Sequence, residues 1–294
     1  MTNANTSRLG KTHRQENFPV ASLLVRAEHR PIILAFYYFV RAADDIADDP
    51  ALASREKIDR LDRMEAALLG DPVREGNLQA AALRRALGER GLAPRHAQDL
   101  LKAFRLDAIK ERYTDWSDLM SYCALSAMPV GRFVLDAHGE SPSTWAASDA
   151  ICAALQIINH LQDCGEDYRD LDRVYLPLDV LARHGANVEA LGAKTASAGL
   201  RSSIAELAGG AAGLLRDGDG LVGGIADWRL RAEISVIHTL AMRLTRVLAE
   251  KDPLGEDTHL SKWQAGCIGL FAAFQGATRG FVPASRPAAS GLRS

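Results

Sequence analysis

The sequence predicts an all-α fold in a single domain. Apolar residues recur at spacings of three and four along nearly the whole chain, the period of a helix face, whereas alternating β-branched runs are scarce. No stretch between residues 16 and 280 has the length or composition of an interdomain linker. We therefore expect residues 15–281 to form one helical domain, flanked by polar tails at 1–14 and 282–294, the second of which contains proline, and we expect both tails to be disordered.

Proline, glycine and capping residues divide this pattern into separate helices. Pro31 can open a first helix at its first position, and Pro50 closes that helix after a run of aspartates. The segments GDP (70–72) and KDPLG (251–255) are typical of turns. The further helices predicted in this way span approximately 54–69, 78–90, 94–111, 116–139, 143–170, 198–216, 225–251 and 258–279.

Composition excludes several classes of function. The chain has 35 basic and 37 acidic residues, so its formal charge of −2 creates no global field that attracts nucleic acid. The N-terminus lacks the apolar core of a secretory signal, and the longest apolar runs, 31–40 and 267–274, are far shorter than the ~18 residues of a membrane span. The four cysteines form no CxxC pair, which fits a reducing compartment. We expect a cytoplasmic protein whose contact with the inner membrane, if any, is peripheral.

The segment FYYFVRAADDIADDP (36–50) places four aspartates at the end of an apolar helix. Steps of four, three and four from Tyr37 put Tyr37, Arg41, Asp44 and Asp48 on one face. Two interpretations are open: a solvated helix end, or a cage for a metal-bound anion. Carboxylates at a helix C-terminus face the negative end of the macrodipole and each other, which costs roughly a few tenths of a kcal/mol or more for each. We therefore expect a compensating cation.

A second polar stripe occurs in LQIINHLQDCGEDYRDLDRVYLP (155–177), where helical spacing aligns Gln156, Asn159, Asp163 and Asp167. All of these side chains offer oxygen donors, and the stripe contains no histidine or cysteine. Oxygen ligands are those of a hard cation such as Mg²⁺ or Mn²⁺, and Mg²⁺ keeps several positions for water and phosphate oxygens. Two such stripes suit a diphosphate held through metal ions better than a buried structural metal.

Several other segments of the sequence also predict local structure. Asp45 and Asp49 point about a quarter turn away from the first stripe, so they are expected to be solvated or paired with basic side chains. GDGLVG (218–223) satisfies GxGxxG but follows a helical pattern, so an interhelix loop is favoured over a dinucleotide-binding turn. His160 is expected either to support the second stripe or to act in catalysis. The proline and glycine in SYCALSAMPVGR (121–132) predict a kink, either for packing alone or to admit substrate.

These segments together resemble the squalene, phytoene and dehydrosqualene synthases, which join isoprenyl diphosphates head to head. The likeness covers about residues 14–280 and rests on YYFVRAADDIAD, YCALSAMPVG and QIINHLQDCGEDYRDLDRVYLP. The resemblance implies an all-α isoprenoid-synthase fold, in which the two aspartate motifs face each other across a central cavity. It also implies that they bind diphosphate through Mg²⁺, with Mn²⁺ as an alternative.

The resemblance further implies a role for each matching residue. The expected metal ligands are Asp44, Asp48, Asp163 and Asp167. The expected catalytic residues, which act on the diphosphate, the metal or the carbocation, are Arg41, Tyr37, Asn159 and Tyr175. The expected substrate-binding residues are Phe18, Tyr122, Gln156 and Arg173.

Within the family, ENFPVAS (16–22) and SAMPVGR (126–132) resemble the hydroxysqualene synthase branch found with bacterial hopanoid genes. Glu16 stands where a basic residue is usual, and Met128-Pro129 replaces a Gly-Thr pair, which argues against the condensation of farnesyl diphosphate. The branch implies conversion of presqualene diphosphate and water to hydroxysqualene and diphosphate, without NADPH. It also implies coupling to a presqualene diphosphate synthase and to a hydroxysqualene reductase.

Two other interpretations stay open from the sequence. The chain could condense farnesyl diphosphate, either to presqualene diphosphate or, with NADPH, to squalene. It could also be a catalytically silent family member that acts in assembly or lipid binding, although such a protein should have lost some of the four aspartates that are present here.

Overall fold

The structure, a computed structural model, describes residues 26–71 and 77–258. Those residues form α-helices, two short 3-10 turns and one isolated β-bridge, and contain no β-strand, so the predicted all-α fold is confirmed. Phe18, the two predicted tails and nearly all of the predicted helix 258–279 lie outside the described residues. No helix in the described part of the chain is long and apolar enough to cross a membrane.

The α-helices are α1 Arg30–Ala47, α2 Ser54–Leu69, α3 Leu78–Arg90, α4 Arg95–Asp107, α5 Trp116–Ser126, α6 Met128–His138, α7 Trp145–Leu171, α8 Leu178–Arg183, α9 Ala198–Asp217, α10 Leu221–Gly224 and α11 Trp228–Glu250. Most of the predicted helices are found within a few residues of their predicted bounds. Asn77 and Ser197 cap the N-termini of α3 and α9, each accepting a hydrogen bond from a backbone N–H. Glycines in the left-handed conformation end α2, α3 and α6.

The prediction of one kinked helix over 116–139 is wrong, because the chain breaks there into two helices. α5 ends at Ser126, Ala127 adopts φ −123° and ψ −49°, and α6 begins at Met128. Pro129 explains the break, since it has no N–H to donate and its ring clashes with the preceding turn of a continuous helix. The two helices can therefore take independent directions beside α7.

Two other boundaries differ from the sequence prediction. The first helix ends at Ala47, with Asp48 as its C-cap, so Asp49 lies outside the helix. The fourth helix ends at Asp107 rather than at 111, because the chain that follows pairs with the segment after α7: the Val174 N–H donates to the Glu111 carbonyl at 2.8 Å. This pairing positions the residues that follow the second polar stripe.

The helices bury two apolar clusters. One surrounds the long central helix α7, which packs against α9, α6 and α11, and includes Ile157 and Leu207. The other joins α1 to α2, α3, α4 and α6, and its centre is the stacked pair Phe36 and Phe133, whose ring centroids lie 3.7 Å apart. A cavity of about 300 Å³ lies where α1, α6, α7 and α11 meet, with wall residues from both clusters.

Gly131 allows α6 to approach α7 closely at this cavity. A Cβ atom at this position would clash with the Ser148 hydroxyl and with the Cys152 thiol. Gly131 also lines the cavity. The glycine of the predicted kink therefore serves both helix packing and the shape of the cavity.

Candidate active site

The polar face of α1 is held together by Arg41. Its Nη1 donates to Asp44 Oδ2 at 2.8 Å, and its Nη2 lies 3.2 Å from Asp45 Oδ1. Asp45 is therefore paired with a basic side chain, one of the two outcomes predicted from its position. Arg41 also supplies part of the positive charge that the aspartate-rich helix end requires, since the last turn of α1 contains no basic residue.

Arg173 supplies a second cation at this helix end. It follows α7 in sequence, yet its Nη1 donates to Asp48 Oδ1 at 2.6 Å and its Nη2 donates to the Ala47 carbonyl at 2.9 Å. Only 6% of Arg173 is exposed, whereas 40% of the Asp48 side chain is exposed. The buried guanidinium thus ties the end of the first aspartate motif to the segment that follows the second.

Burial and a neighbouring carboxylate both perturb Asp44. Burial, followed by the charge of Asp48, raises the pKa of Asp44 above its ordinary value, and the charge of Arg41 opposes the rise. Water still reaches the side chain, 34% of which is exposed. Two carboxylates this close favour a cation, and a divalent ion would relieve their repulsion more fully than Arg41 can.

Asp107 joins the two aromatic side chains that were predicted to contact substrate or diphosphate. The Tyr122 hydroxyl donates to Asp107 Oδ2 at 2.9 Å, and the Tyr175 hydroxyl donates to Oδ1 at 3.2 Å. Burial raises the pKa of Asp107 to about 6, although the charge of Arg173 and both tyrosine hydrogen bonds lower it. Sequence reasoning missed Asp107, yet a signal exists: it stands on the buried face of α4, three residues after Phe104.

His160 supports this network and is not available as an acid. Its ring stacks on Tyr175 with centroids 3.5 Å apart, and the Gln156 amide lies 3.0 Å from its Nε2. Burial, and then the charge of Arg173, lower the pKa of His160 to about 3. The neutral ring therefore accepts a hydrogen bond from the Gln156 amide, and it holds the plane of Tyr175.

The second polar stripe lies on α7 as predicted. Asn159, Asp163 and Asp167 are partly exposed, whereas the residues between them, such as Leu161 and Cys164, are buried. The helix therefore turns one acidic face away from its apolar core. That this face lies opposite the α1 aspartates stays a prediction, as does the metal-binding role of both motifs.

The cavity begins where the polar face of α1 ends. Tyr37 and Val40 form part of its wall, and Arg41 follows directly. The rest of the wall is almost entirely apolar, with Phe133 and Val134 from α6 and residues of α7 and α11. An acidic, arginine-containing site thus adjoins an apolar pocket. A substrate with an anionic head and a hydrocarbon body requires this arrangement.

The donor set fits a hard divalent cation. Asp44, Asp48, Asp163 and Asp167 offer carboxylate oxygens, and Asn159 adds an amide oxygen. His160, which follows Asn159 directly in sequence, has its Nε2 beside the Gln156 amide. The residues present therefore suit Mg²⁺ or Mn²⁺ better than zinc.

A different group of ligand types lies at the other end of α1. His29, His138 and Asp227 offer atoms within 4.8 Å of one another. However, Arg26 Nε lies 3.0 Å from Asp227 Oδ2, and Arg90 Nη2 lies 3.1 Å from His29 Nδ1. Because guanidinium groups only donate, Arg26 and Arg90 compete with a metal for Asp227 and for His29 Nδ1, and the cluster fits an ion-paired helix junction.

Known proteins resemble this chain closely in sequence. Residues 11–264 match the family model described as squalene/phytoene synthase. A protein of Rhodopseudomonas palustris named hydroxysqualene synthase is 56% identical over 260 residues, 88% of each chain. A hydroxysqualene synthase of Sinorhizobium fredii is 49% identical over 97% of this chain and 98% of its own length.

Solved structures show the same fold. A squalene synthase of Alicyclobacillus acidocaldarius is 30% identical, with a TM-score of 0.68 over 78% of this chain and 86% of that chain. A dehydrosqualene synthase crystallised with ligand is 20% identical, with a TM-score of 0.73 over 86% of this chain and 88% of that chain, and so supports the fold alone. The resemblance found in the sequence is confirmed: the chain belongs to the squalene/phytoene synthase family of isoprenoid synthases.

Proposed function

We propose that the protein is a hydroxysqualene synthase, which converts presqualene diphosphate and water to hydroxysqualene and diphosphate. The observation that carries this proposal is its identity of 46% to 56% to three proteins of that name, over most of each chain. The adjacency of an acidic, arginine-containing site to an apolar cavity supports the same substrate class.

In this proposal the two aspartate motifs bind the diphosphate end of the substrate. Asp44, Asp48, Asp163 and Asp167 would hold Mg²⁺, with Asn159 beside them. Bound Mg²⁺ supplies Lewis-acid stabilisation of the negative charge on the diphosphate. Arg41, which already lies on the carboxylates of α1, would donate hydrogen bonds to the diphosphate oxygens as the carbon–oxygen bond breaks and its electron pair passes to oxygen.

Tyr37 acts on the carbon part of the substrate: it lines the cavity next to the polar site, and its face would stabilise the carbocation through its π electrons. Tyr122 and Gln156, which were also predicted to line the pocket, are not among the described residues of the cavity wall, and Tyr122 packs against Tyr175 with ring centroids 5.4 Å apart. Asp107 fixes the Tyr122 and Tyr175 hydroxyls, so neither ring can swing away from its position. The apolar wall keeps bulk water from the cation until the rearrangement is complete.

The test is a product analysis with purified protein. Presqualene diphosphate, Mg²⁺ and water enriched in ¹⁸O are supplied without NADPH, and hydroxysqualene carrying one ¹⁸O atom is the expected product. A parallel reaction with farnesyl diphosphate, with and without NADPH, tests the alternative suggested by the 30% identical squalene synthase. Absence of hydroxysqualene from the first reaction, or squalene that requires NADPH in the second, would contradict the proposal.

The proposal also places the reaction between two others. A presqualene diphosphate synthase would supply the substrate, and a reductase would remove the hydroxyl group of the product. Both molecules carry long hydrocarbon chains, so we propose peripheral contact with a membrane during their exchange.

A further inference from the structure

The wall of the apolar cavity contains one carboxylate. Glu233 lies on α11 and borders the cavity together with Leu230, Ile234 and Ile237 of the same helix. Only 5% of the residue is exposed. Among the described residues that form the wall, it is the sole acid, and the wall contains no lysine, arginine or histidine.

A carboxylate in this position costs free energy. Transfer of a charged group from water to an apolar environment is expensive unless other groups compensate it. Glu140 shows what a structural glutamate does in this fold: it is also buried, and its two oxygens accept hydrogen bonds from the backbone N–H groups of Ala226 and Asp227 at 2.8 and 2.9 Å. Glu233 is buried as well, and in addition it borders open volume in the pocket that would hold the carbon part of the substrate.

The proposed reaction requires a proton acceptor in this pocket. Water must add to a carbocation inside a wall that otherwise repels water, and the attacking oxygen must then lose a proton. Burial raises the pKa of the Cys152 thiol to about 11, so that wall residue stays protonated. The hydroxyls of Tyr37 and Ser148 are weak bases. Of the described wall residues, Glu233 alone offers a basic oxygen.

We propose that the Glu233 carboxylate holds the attacking water in the cavity and accepts its proton. The water oxygen donates a lone pair to the cationic carbon, a carbon–oxygen bond forms, one O–H bond breaks, and the proton passes to a carboxylate oxygen. The carboxylic acid later returns that proton to solvent. This inference rests on the proposed function, since only water capture needs such a group.

The test compares Glu233→Gln with the wild type on presqualene diphosphate. The amide keeps the shape of the side chain but cannot take a proton. We expect diphosphate release to stay within about threefold of the wild type, while the share of hydroxysqualene among the C30 products falls about tenfold or more, a modest effect for removing a general base. Hydrocarbons formed by loss of a proton from carbon should replace it.

Glu250→Gln is the matched control, because it makes the same chemical change on an exposed position of the same helix. It should leave both diphosphate release and product share unchanged. Thermal unfolding of each variant checks its fold. If Glu233→Gln does not fold, Glu233→Asp, which keeps the charge but withdraws it from the cavity, should give an intermediate hydroxysqualene share.

The outcomes separate this inference from the proposed function. Wild-type protein that makes no hydroxysqualene overturns both. Wild-type protein that makes hydroxysqualene, together with a Glu233→Gln variant of unchanged product share, overturns the role of Glu233 alone. A folded Glu233→Gln variant that releases no diphosphate also overturns it, because the carboxylate would then act in ionisation rather than in water capture. If Glu233→Asp folds and Glu233→Gln does not, an unchanged share of hydroxysqualene from Glu233→Asp overturns the role of Glu233 in the same way.

Discussion

Replacement of Asp107 by asparagine should stabilise the fold at neutral pH and reduce activity. Asp107 is 8% exposed, and burial raises the pKa of its carboxyl from an ordinary 3.8 to about 6. At about 1.4 kcal/mol for each pKa unit, this rise corresponds to about 3 kcal/mol of free energy of unfolding. Asparagine has nearly the same shape and can still bond to both tyrosine hydroxyls, but it carries no charge into the interior.

The sign of the pH dependence follows from the direction of that rise. Below pH 3.8 the carboxyl is protonated in both the folded and the unfolded chain, so it has no effect on stability. Between 3.8 and about 6 only the folded chain keeps the proton, so stability falls as the pH rises, and above about 6 the whole cost is present. The asparagine variant should therefore gain up to about 3 kcal/mol at pH 7 and close to nothing near pH 4.

Urea unfolding at pH 7 and pH 4 measures this difference. Asp118→Asn is the control of opposite sign, because the hydrogen bond from Lys110 lowers the pKa of Asp118, so its ionised form stabilises the fold and that stability is lost as the pH falls. A gain for Asp107→Asn that did not depend on pH would refute the reasoning, as would a loss of stability at pH 7. The activity of Asp107→Asn should fall whatever its stability, because the Tyr122 and Tyr175 hydroxyls would lose a charged hydrogen-bond acceptor.

Three further predictions concern the metal, the aspartates and the cavity. EDTA should abolish turnover, and Mg²⁺ or Mn²⁺ should restore it; turnover that survives EDTA would contradict the metal site. Asp44→Asn and Asp163→Asn should each lower turnover by about a hundredfold or more, because a ligand of the cation is lost. Circular dichroism should show that the fold persists, because the substitution relieves repulsion between like charges. Full activity in both variants would exclude the proposed metal-binding role of these aspartates. Gly131→Ala should lower the free energy of unfolding in urea by about 1–3 kcal/mol, whereas Gly88→Ala, which has open space around it, should raise it by about 0.5–1 kcal/mol. Equal effects would show that the close approach of α6 to α7 is unimportant for stability.

Helical spacing was sufficient to predict most helices and the polar face of α1, because both depend on residues close in sequence. It could not predict the contact of Arg173 with Asp48, which joins residues 125 positions apart. Pro129 marked an interruption of the helical pattern, but whether the helix bends or breaks there depends on how α6 packs against α7.

Asp107 and Glu233 were missed for a common reason. Each is a single acid on an otherwise apolar helix face, and neither has an acidic partner one turn away that would make a stripe. An isolated polar residue in an apolar pattern is compatible with solvent exposure as well as with burial. The packing of neighbouring helices decides between these, and it places both acids in the interior.

The ion pair between Arg173 and Asp48 sets up a competition. A metal ion that takes Asp48 Oδ1 would compete with the guanidinium, whose Nη1 lies 2.6 Å from that oxygen. The displaced arginine would carry its charge into the same small space, where an arriving anion can neutralise it. Metal and diphosphate should consequently bind in a mutually dependent way, each with higher affinity in the presence of the other.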